Sequence, residues 1–273
     1  MNLSRLLAEY AKNKPLRIGL IGAGKFGSMV LAQAQHIKGL HVAAVADLNL
    51  DKAKTAFARV GWDTKTCFSA SAKEAIAARK TWLTDDVSAL CNFSEIDCII
   101  EATGHPLFGV RHALQAIESG KHVIMVNVEA DILCGPYIAK KASERGVIYS
   151  MAYGDQPAAI CELVDWVHSN GFELVAAGKG MNFQPEYRYS TPDTVWGYFG
   201  WSEAEVAAGD FNPKMYNSFT DGTKAAIEMA AVANATGLDC PDTGLAFHPA
   251  GLHDLASVFR PASEAGNDIG LNP

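Results

Sequence analysis

The sequence predicts an α/β fold: a doubly wound parallel sheet followed by a second domain of α+β type. Three observations carry the prediction. Short apolar runs alternate with helical patterns as far as residue 152, and Gly22, Gly24 and Gly27 stand in G-x-G-x-x-G spacing directly after the first strand-like run. Beyond residue 152 the alternation stops, and a stretch rich in Gly, Pro, Tyr and Trp takes its place. Strands separated by single helices require right-handed crossovers and a sheet covered on both faces. The expected domains are therefore 1–152 and 153–273.

Composition narrows the class before any motif is read. A chain of 273 residues with 49% apolar and 19% charged residues buries a sizeable core. A formal charge of −7 without a Lys/Arg cluster excludes a nucleic-acid surface, which needs concentrated positive charge. No apolar run approaches the length of a membrane span. Cys67, Cys91, Cys98, Cys134, Cys161 and Cys240 form no C-x-x-C pair, and they read as reduced thiols of a cytoplasmic protein.

In order, residues 2–14 place Leu3, Leu6, Leu7 and Tyr10 at helical spacing, a helix expected to pack on the domain or on a partner subunit. A strand over 16–21 leads through the glycine turn to a helix over 25–37. A strand at 41–46 and a helix over 51–60 follow, and 61–70 is irregular. Helices are expected at 72–79, 85–90, 107–119 and 129–145, and strands at 81–83, 96–101, 122–126 and 147–152. The second domain opens with a helix at Pro157, stopped by Asn170-Gly171, then a strand over 172–177, a long loop over 178–200 and a helix over 222–235 ended by Gly237. The tail, 238–273, is expected to be loosely structured or cut short.

The glycine spacing gives the first chemical reading. In a strand-turn-helix unit, the glycines allow a tight turn, backbone approach to a pyrophosphate and close helix–strand packing, while the helix N-terminus faces an anion. Gly22, Gly24, Lys25, Phe26 and Gly27 are thus candidate dinucleotide contacts in a Rossmann domain. Asp47 ends the next strand twenty residues on, where an acid would bind a ribose hydroxyl. Thr103 and Gly104 follow another strand end and are candidates for the nicotinamide side. Asn127 occupies the same edge one strand later. His105 stands beside Thr103 as an acid, a base or a loop histidine.

Past residue 152 the polar residues gather. Asp155 and Gln156 begin a helix; Lys179, Glu186 and Arg188 sit on the long loop; Asp221, Lys224 and Glu228 fall on one helical face at steps of three and four. A lysine and a carboxylate beside a nicotinamide suit carbonyl or alcohol chemistry. Lys224, Asp221, Lys179 and Glu228 are accordingly the catalytic candidates. Asp155, Gln156, Glu186 and Asn217 are the substrate-binding ones. Asp221 as a helix cap and Lys224–Glu228 as an exposed pair is the competing reading, and His248, His253 and Asp254 are the weak metal alternative.

The chain resembles the homoserine-dehydrogenase-like oxidoreductases, and within them the 1-deoxy-D-xylulose 5-phosphate reductoisomerase-like proteins. The resemblance is carried by the glycine turn, Ala46-Asp47, Glu101-Ala102-Thr103-Gly104, Asn127-Val128-Glu129, Gly154-Asp155-Gln156-Pro157, Pro192-Asp193-Thr194-Val195-Trp196-Gly197 and Asp221-Gly222-Thr223-Lys224. It implies an NAD(P)H enzyme with NADPH favoured, a divalent metal allowed, and a small phosphorylated substrate converted to 2-C-methyl-D-erythritol 4-phosphate; the apolar second domain separately predicts self-association into a homo-oligomer. The resemblance also implies a further β-rich portion beyond Pro273. Asp47 itself favours NAD. Homoserine dehydrogenases carry a lysine where this chain has Val128-Glu129, yet homoserine or another hydroxy acid remains the alternative substrate. A sensor that binds NAD(P) without turnover is the alternative of another class.

Overall fold

Strands buried on both faces of a parallel sheet are apolar throughout rather than alternating, and β1 (Leu16–Ile21) and β2 (Leu40–Ala46), with α1 (Leu3–Tyr10) and α2 (Lys25–Ala34) around them, follow that rule. The computed structural model describes residues 2–209, 211–242 and 244–260; the expectation for the end of the tail, 261–273, lies outside them. Two units divide between Tyr153 and Gly154.

The first unit continues through α3 (Leu50–Arg59), β3 (Phe68–Ser69), α4 (Ala72–Ala78), β4 (Thr81–Thr84), α5 (Val87–Asn92), β5 (Cys98–Glu101), α6 (Pro106–Glu118), β6 (His122–Met125), α7 (Val128–Arg145) and β7 (Tyr149–Met151). The seven strands form one parallel sheet in the order β3-β4-β2-β1-β5-β6-β7. The doubly wound Rossmann fold is thereby confirmed. Leu31, Ala53 and Phe57 of α2 and α3 cover one face with Ile18, Leu20 and Val45; Leu90, Ala113, Ile117 and Ile138 of α5 to α7 cover the other with Ile99 and Val123. Chain direction across the sheet reverses at β1, which pairs with β2 on one side and β5 on the other. Ligands of open α/β sheets bind at the C-terminal ends of such a pair.

Two features of this unit depart from a simple reading. Residues 68–69, expected as irregular, add the edge strand β3. An apolar hollow of about 400 Å³, lined by Leu16, Ile18, Met29, Ile37, Cys98 and Ile124, lies between α2 and the sheet. Leu16, Ile18 and Cys98 belong to the first halves of their strands, so the hollow is not part of the edge where the glycine turn sits. α1 is amphipathic as expected and buries none of its own residues.

The second unit comprises α8 (Gln156–Ser169), a 3₁₀ turn (Pro185–Tyr189), α9 (Val195–Phe199), α10 (Glu203–Ala208), α11 (Pro213–Thr220), α12 (Thr223–Thr236) and α13 (Leu255–Val258). Residues 172–177, expected as a strand, form none. The second unit offers no strand among its described residues for them to pair with, and Leu174 and Ala177 pack instead on Ile160, Val164 and Val232. The expected loop over 178–200 contains the 3₁₀ turn and α9. Aromatic rings organise this part: Trp201 lies 4.8 Å from Phe211, 5.5 Å from Tyr216 and 5.8 Å from Trp196 between ring centres.

The tightest packing in the first unit is at the glycine turn. A Cβ on Gly27 would sit 2.1 Å from the carbonyl oxygen of Gly22. Gly27→Ala is expected to cost about 1–3 kcal/mol of folding free energy through this overlap, measured by urea denaturation. Unchanged stability would show that the turn can open.

Candidate functional site

The cofactor edge is assembled from four loops of the first unit. Gly22 takes φ +94°, and a side chain there would meet the backbone of Ala102 at 2.9 Å and Thr103 N at 3.0 Å. The β5 loop therefore presses directly on the turn. Gly24 is the N-cap of α2 without any side-chain cap, and nothing lies within 4 Å of the position its Cβ would take. Uncapped N–H groups at a helix start beside open space suit a pyrophosphate. Lys25 and Phe26 are exposed on the first turn. The residues present fit a dinucleotide.

Asp47 closes the turn from the β2 side. Its Oδ2 accepts from Ala23 N at 2.8 Å, and its Oδ1 accepts from Asn49 N at 2.9 Å. Both bonds hold the carboxylate against the glycine turn. Thr103, Gly104 and His105 form an exposed loop after β5, with Gly104 at φ +71°. Asn127 is buried beneath it: Oδ1 caps α7 by accepting from Ala130 N, and Nδ2 donates to His105 O at 3.1 Å. Asn127 thus holds the loop.

Sequence reasoning gave no role to Glu101 or His112. Glu101 is fully buried at the end of β5, its Oε1 accepting the Thr103 hydroxyl at 2.6 Å and lying 3.2 Å from His112 Nδ1. The signal was present as a charged residue closing a buried apolar strand. Nearby, Asp131 accepts the Tyr149 hydroxyl at 2.6 Å, and burial raises both groups above their ordinary range.

In the second unit the structure divides the expected stripe. Glu228 of α12 is 1% exposed, and both Lys179 Nζ and Lys224 Nζ pair with it, Lys224 at 3.5 Å. The Gln156 amide, oriented to satisfy its hydrogen bonds, donates to Glu228 Oε1 at 3.2 Å and to Asp155 Oδ1 at 2.7 Å. Five of the residues singled out by sequence therefore converge. Two half-buried ammonium groups share one carboxylate, so donors remain for an anionic oxygen.

Asp221 lies in a different setting. Its carboxylate joins two helices, accepting from Asn217 Nδ2 at 2.9 Å, Thr223 N at 2.9 Å and Thr223 Oγ1 at 2.7 Å. Gly222, at φ +88°, is the N-cap of α12, so the helix begins after Asp221 rather than through it. Asn217 is buried, with its Oδ1 lacking a hydrogen-bond partner among the described residues. Glu186 is exposed on the 3₁₀ turn and pairs with neither lysine. Among the described residues no three His, Cys, Asp or Glu side chains are placed to hold a metal; Asp254 instead accepts from Gly251 N. No helix there is long and apolar enough to cross a membrane.

Known proteins resemble the chain in two adjoining parts. Residues 16–125 match the Gfo/Idh/MocA model, described as the oxidoreductase family, NAD-binding Rossmann fold, and residues 154–268 match oxidoreductase DRL, catalytic domain. Both models describe parts of oxidoreductases, the first an NAD-binding Rossmann domain and the second a catalytic domain. Neither description names homoserine dehydrogenase or the deoxyxylulose phosphate enzyme, so the coarser class is what the matches support. No curated protein matches.

Solved structures similar to this chain include scyllo-inositol dehydrogenase from Lactobacillus casei with NAD(H) and scyllo-inositol, at 16% identity and TM-score 0.41 over 57% of this chain and 42% of that one. The WlbA dehydrogenase from Bordetella pertussis with NADH and UDP-GlcNAcA is 21% identical, at TM-score 0.41 over 58% of this chain and 43% of that one. An NAD-binding oxidoreductase from Klebsiella pneumoniae is 21% identical, at TM-score 0.40 over 57% and 39%. The chain spans about two fifths of the length of these structures.

Glu228→Gln removes the shared counter-charge while keeping the shape. It is expected to cost about 1–3 kcal/mol in urea denaturation, less than a fully buried pair because both lysines are 23% exposed. Combined with Lys179→Met, the loss should be smaller than the sum. Wild-type stability in Glu228→Gln would mean the lysines do not depend on it.

Proposed function

We propose that the protein reduces the carbonyl of a small polar substrate with NAD(P)H, Lys224 and Lys179 receiving the developing negative charge on the substrate oxygen. The observation that carries this reading is the pairing of both lysines on one buried glutamate. A dihydronicotinamide supplies the hydride when bound. Lys224 gives a proton to the substrate oxygen as the carbon is reduced, Lys179 stabilises charge or holds an anionic substituent, and Glu228 keeps the two ammonium groups together. Gln156 and Asp155 extend the cluster and are suited to substrate hydroxyls.

Within that reading the specific substrate proposed is 1-deoxy-D-xylulose 5-phosphate. Its support is the resemblance through Gly154–Pro157 and 221–236, together with a lysine pair suited to a phosphorylated hydroxyketone. The cofactor proposed is NAD(H) over NADP(H): Asp47 closes β2 against the glycine turn through Ala23 N, and a carboxylate at a ribose site there would repel a 2′-phosphate. This replaces the NADPH preference that the family resemblance implies. A cytoplasmic, homo-oligomeric enzyme is the setting proposed.

Assays of deoxyxylulose phosphate reduction and homoserine oxidation, each with both cofactors, separate the substrates. Lys224→Met is expected to lower turnover by about 10²–10⁴-fold with NADH affinity unchanged by fluorescence titration. Persisting turnover would make Lys224 structural. Asp47→Ser is expected to raise NADPH affinity and lower that for NADH, about tenfold each; unaltered preference would remove Asp47 from the ribose site.

A further inference from the structure

Among the described residues, Glu101 is the one fully buried carboxylate that the proposed chemistry leaves without a part. It ends β5 beneath the exposed Thr103–His105 loop. Room for it comes from Gly109 of α6, where a side chain would lie 3.2 Å from Glu101 Oε2 and 2.6 Å from Asn127 Nδ2. Glu101 Oε2 has no hydrogen-bond partner among the described residues, so the carboxylate is held through Oε1 alone.

The bond that matters is the 2.6 Å one from Thr103. A hydroxyl has one proton and two lone pairs. With the proton given to Glu101, Thr103 Oγ1 can only accept. The other donors near it, Asn127 Nδ2 at 3.5 Å and His105 N at 3.4 Å, are at the long limit of hydrogen bonding. On an exposed residue directly beside the glycine turn, an oxygen that only accepts is matched to an N–H or O–H donor.

We infer that Glu101 is a positioning residue: by taking the Thr103 proton it presents Thr103 Oγ1 as an acceptor to a carboxamide or ribose donor on the nicotinamide half of the dinucleotide. The inference rests on the cofactor reading above but not on the identity of the substrate or on the lysine cluster. The pairing works through orientation alone.

NADH, which carries the nicotinamide half, and ADP, which lacks it, are titrated against the full chain by fluorescence and calorimetry. Glu101→Leu and Thr103→Val are each expected to weaken NADH about tenfold and to leave ADP within about twofold. The double variant should be no weaker than either single one. Glu101→Gln, whose amide oxygen accepts the same proton, should restore NADH binding. A merely structural role would move ADP and NADH together, and that result overturns the inference. So do unchanged NADH affinity in Glu101→Leu and a failure of Glu101→Gln to restore it. If Glu101→Leu does not fold, Thr103→Val decides, and wild-type NADH affinity there overturns the inference. Absence of NADH and ADP binding by the unaltered protein overturns the cofactor reading with it, whereas failed carbonyl reduction with intact NADH binding leaves this inference standing.

Discussion

Everything at the cofactor edge depends on three backbone segments meeting where no side chain fits. The helix start at Gly27 abuts the Gly22 carbonyl, and Gly22 abuts Ala102 and Thr103. Removing two Cβ atoms brings β1, α2 and the β5 loop to van der Waals contact, which fixes the direction of the α2 N–H groups. Gly24 differs, since its missing side chain meets nothing. Two of the glycines thus serve packing within the protein, and the third leaves open space at the start of α2 among the described residues. Asp47 then ties β2 into the same knot through Ala23 N, a charge-assisted bond worth about 1.5–3 kcal/mol.

Much of this was legible in the sequence, for a physical reason. In a parallel sheet both faces are buried, so 16–21 and 96–101 appear as continuous apolar runs bounded by turn residues, and only boundaries shift by a residue or two. The glycine spacing adds a local rule that does not depend on distant partners. Asp47 was legible as an acid closing β2 because its position follows from strand order and distance along the chain; its bond to Ala23 N was not.

The second unit was less legible, and the particular failures share a cause. Whether 172–177 becomes a strand depends on a neighbouring edge, which no local pattern records. The helices within 185–220 are too short for a 3.6-residue period to declare itself, and ring-to-ring packing of Trp196, Trp201, Phe211 and Tyr216 holds them instead. The spacing of Asp221, Lys224 and Glu228 was read as one helical face. A left-handed Gly222 breaks the helix between the first and second of these, leaving the lysine and glutamate together and turning Asp221 to Asn217 and Thr223.

Glu101 and Glu228 pose the same problem, a carboxylate with almost no access to water, and the chain answers it in two ways. Glu228 is met by two ammonium groups; Glu101 is met by a hydroxyl and an imidazole nitrogen. Stability alone does not account for either, because apolar residues of similar volume serve a core as well as buried ions do. Cations gathered on a buried anion keep donors free and respond to new negative charge, which suits a site where an oxygen becomes anionic. A hydroxyl bound to a buried anion loses its freedom to rotate and faces one way. The first arrangement is the one the proposed reduction draws on, and the second is the one that orients the Thr103 hydroxyl.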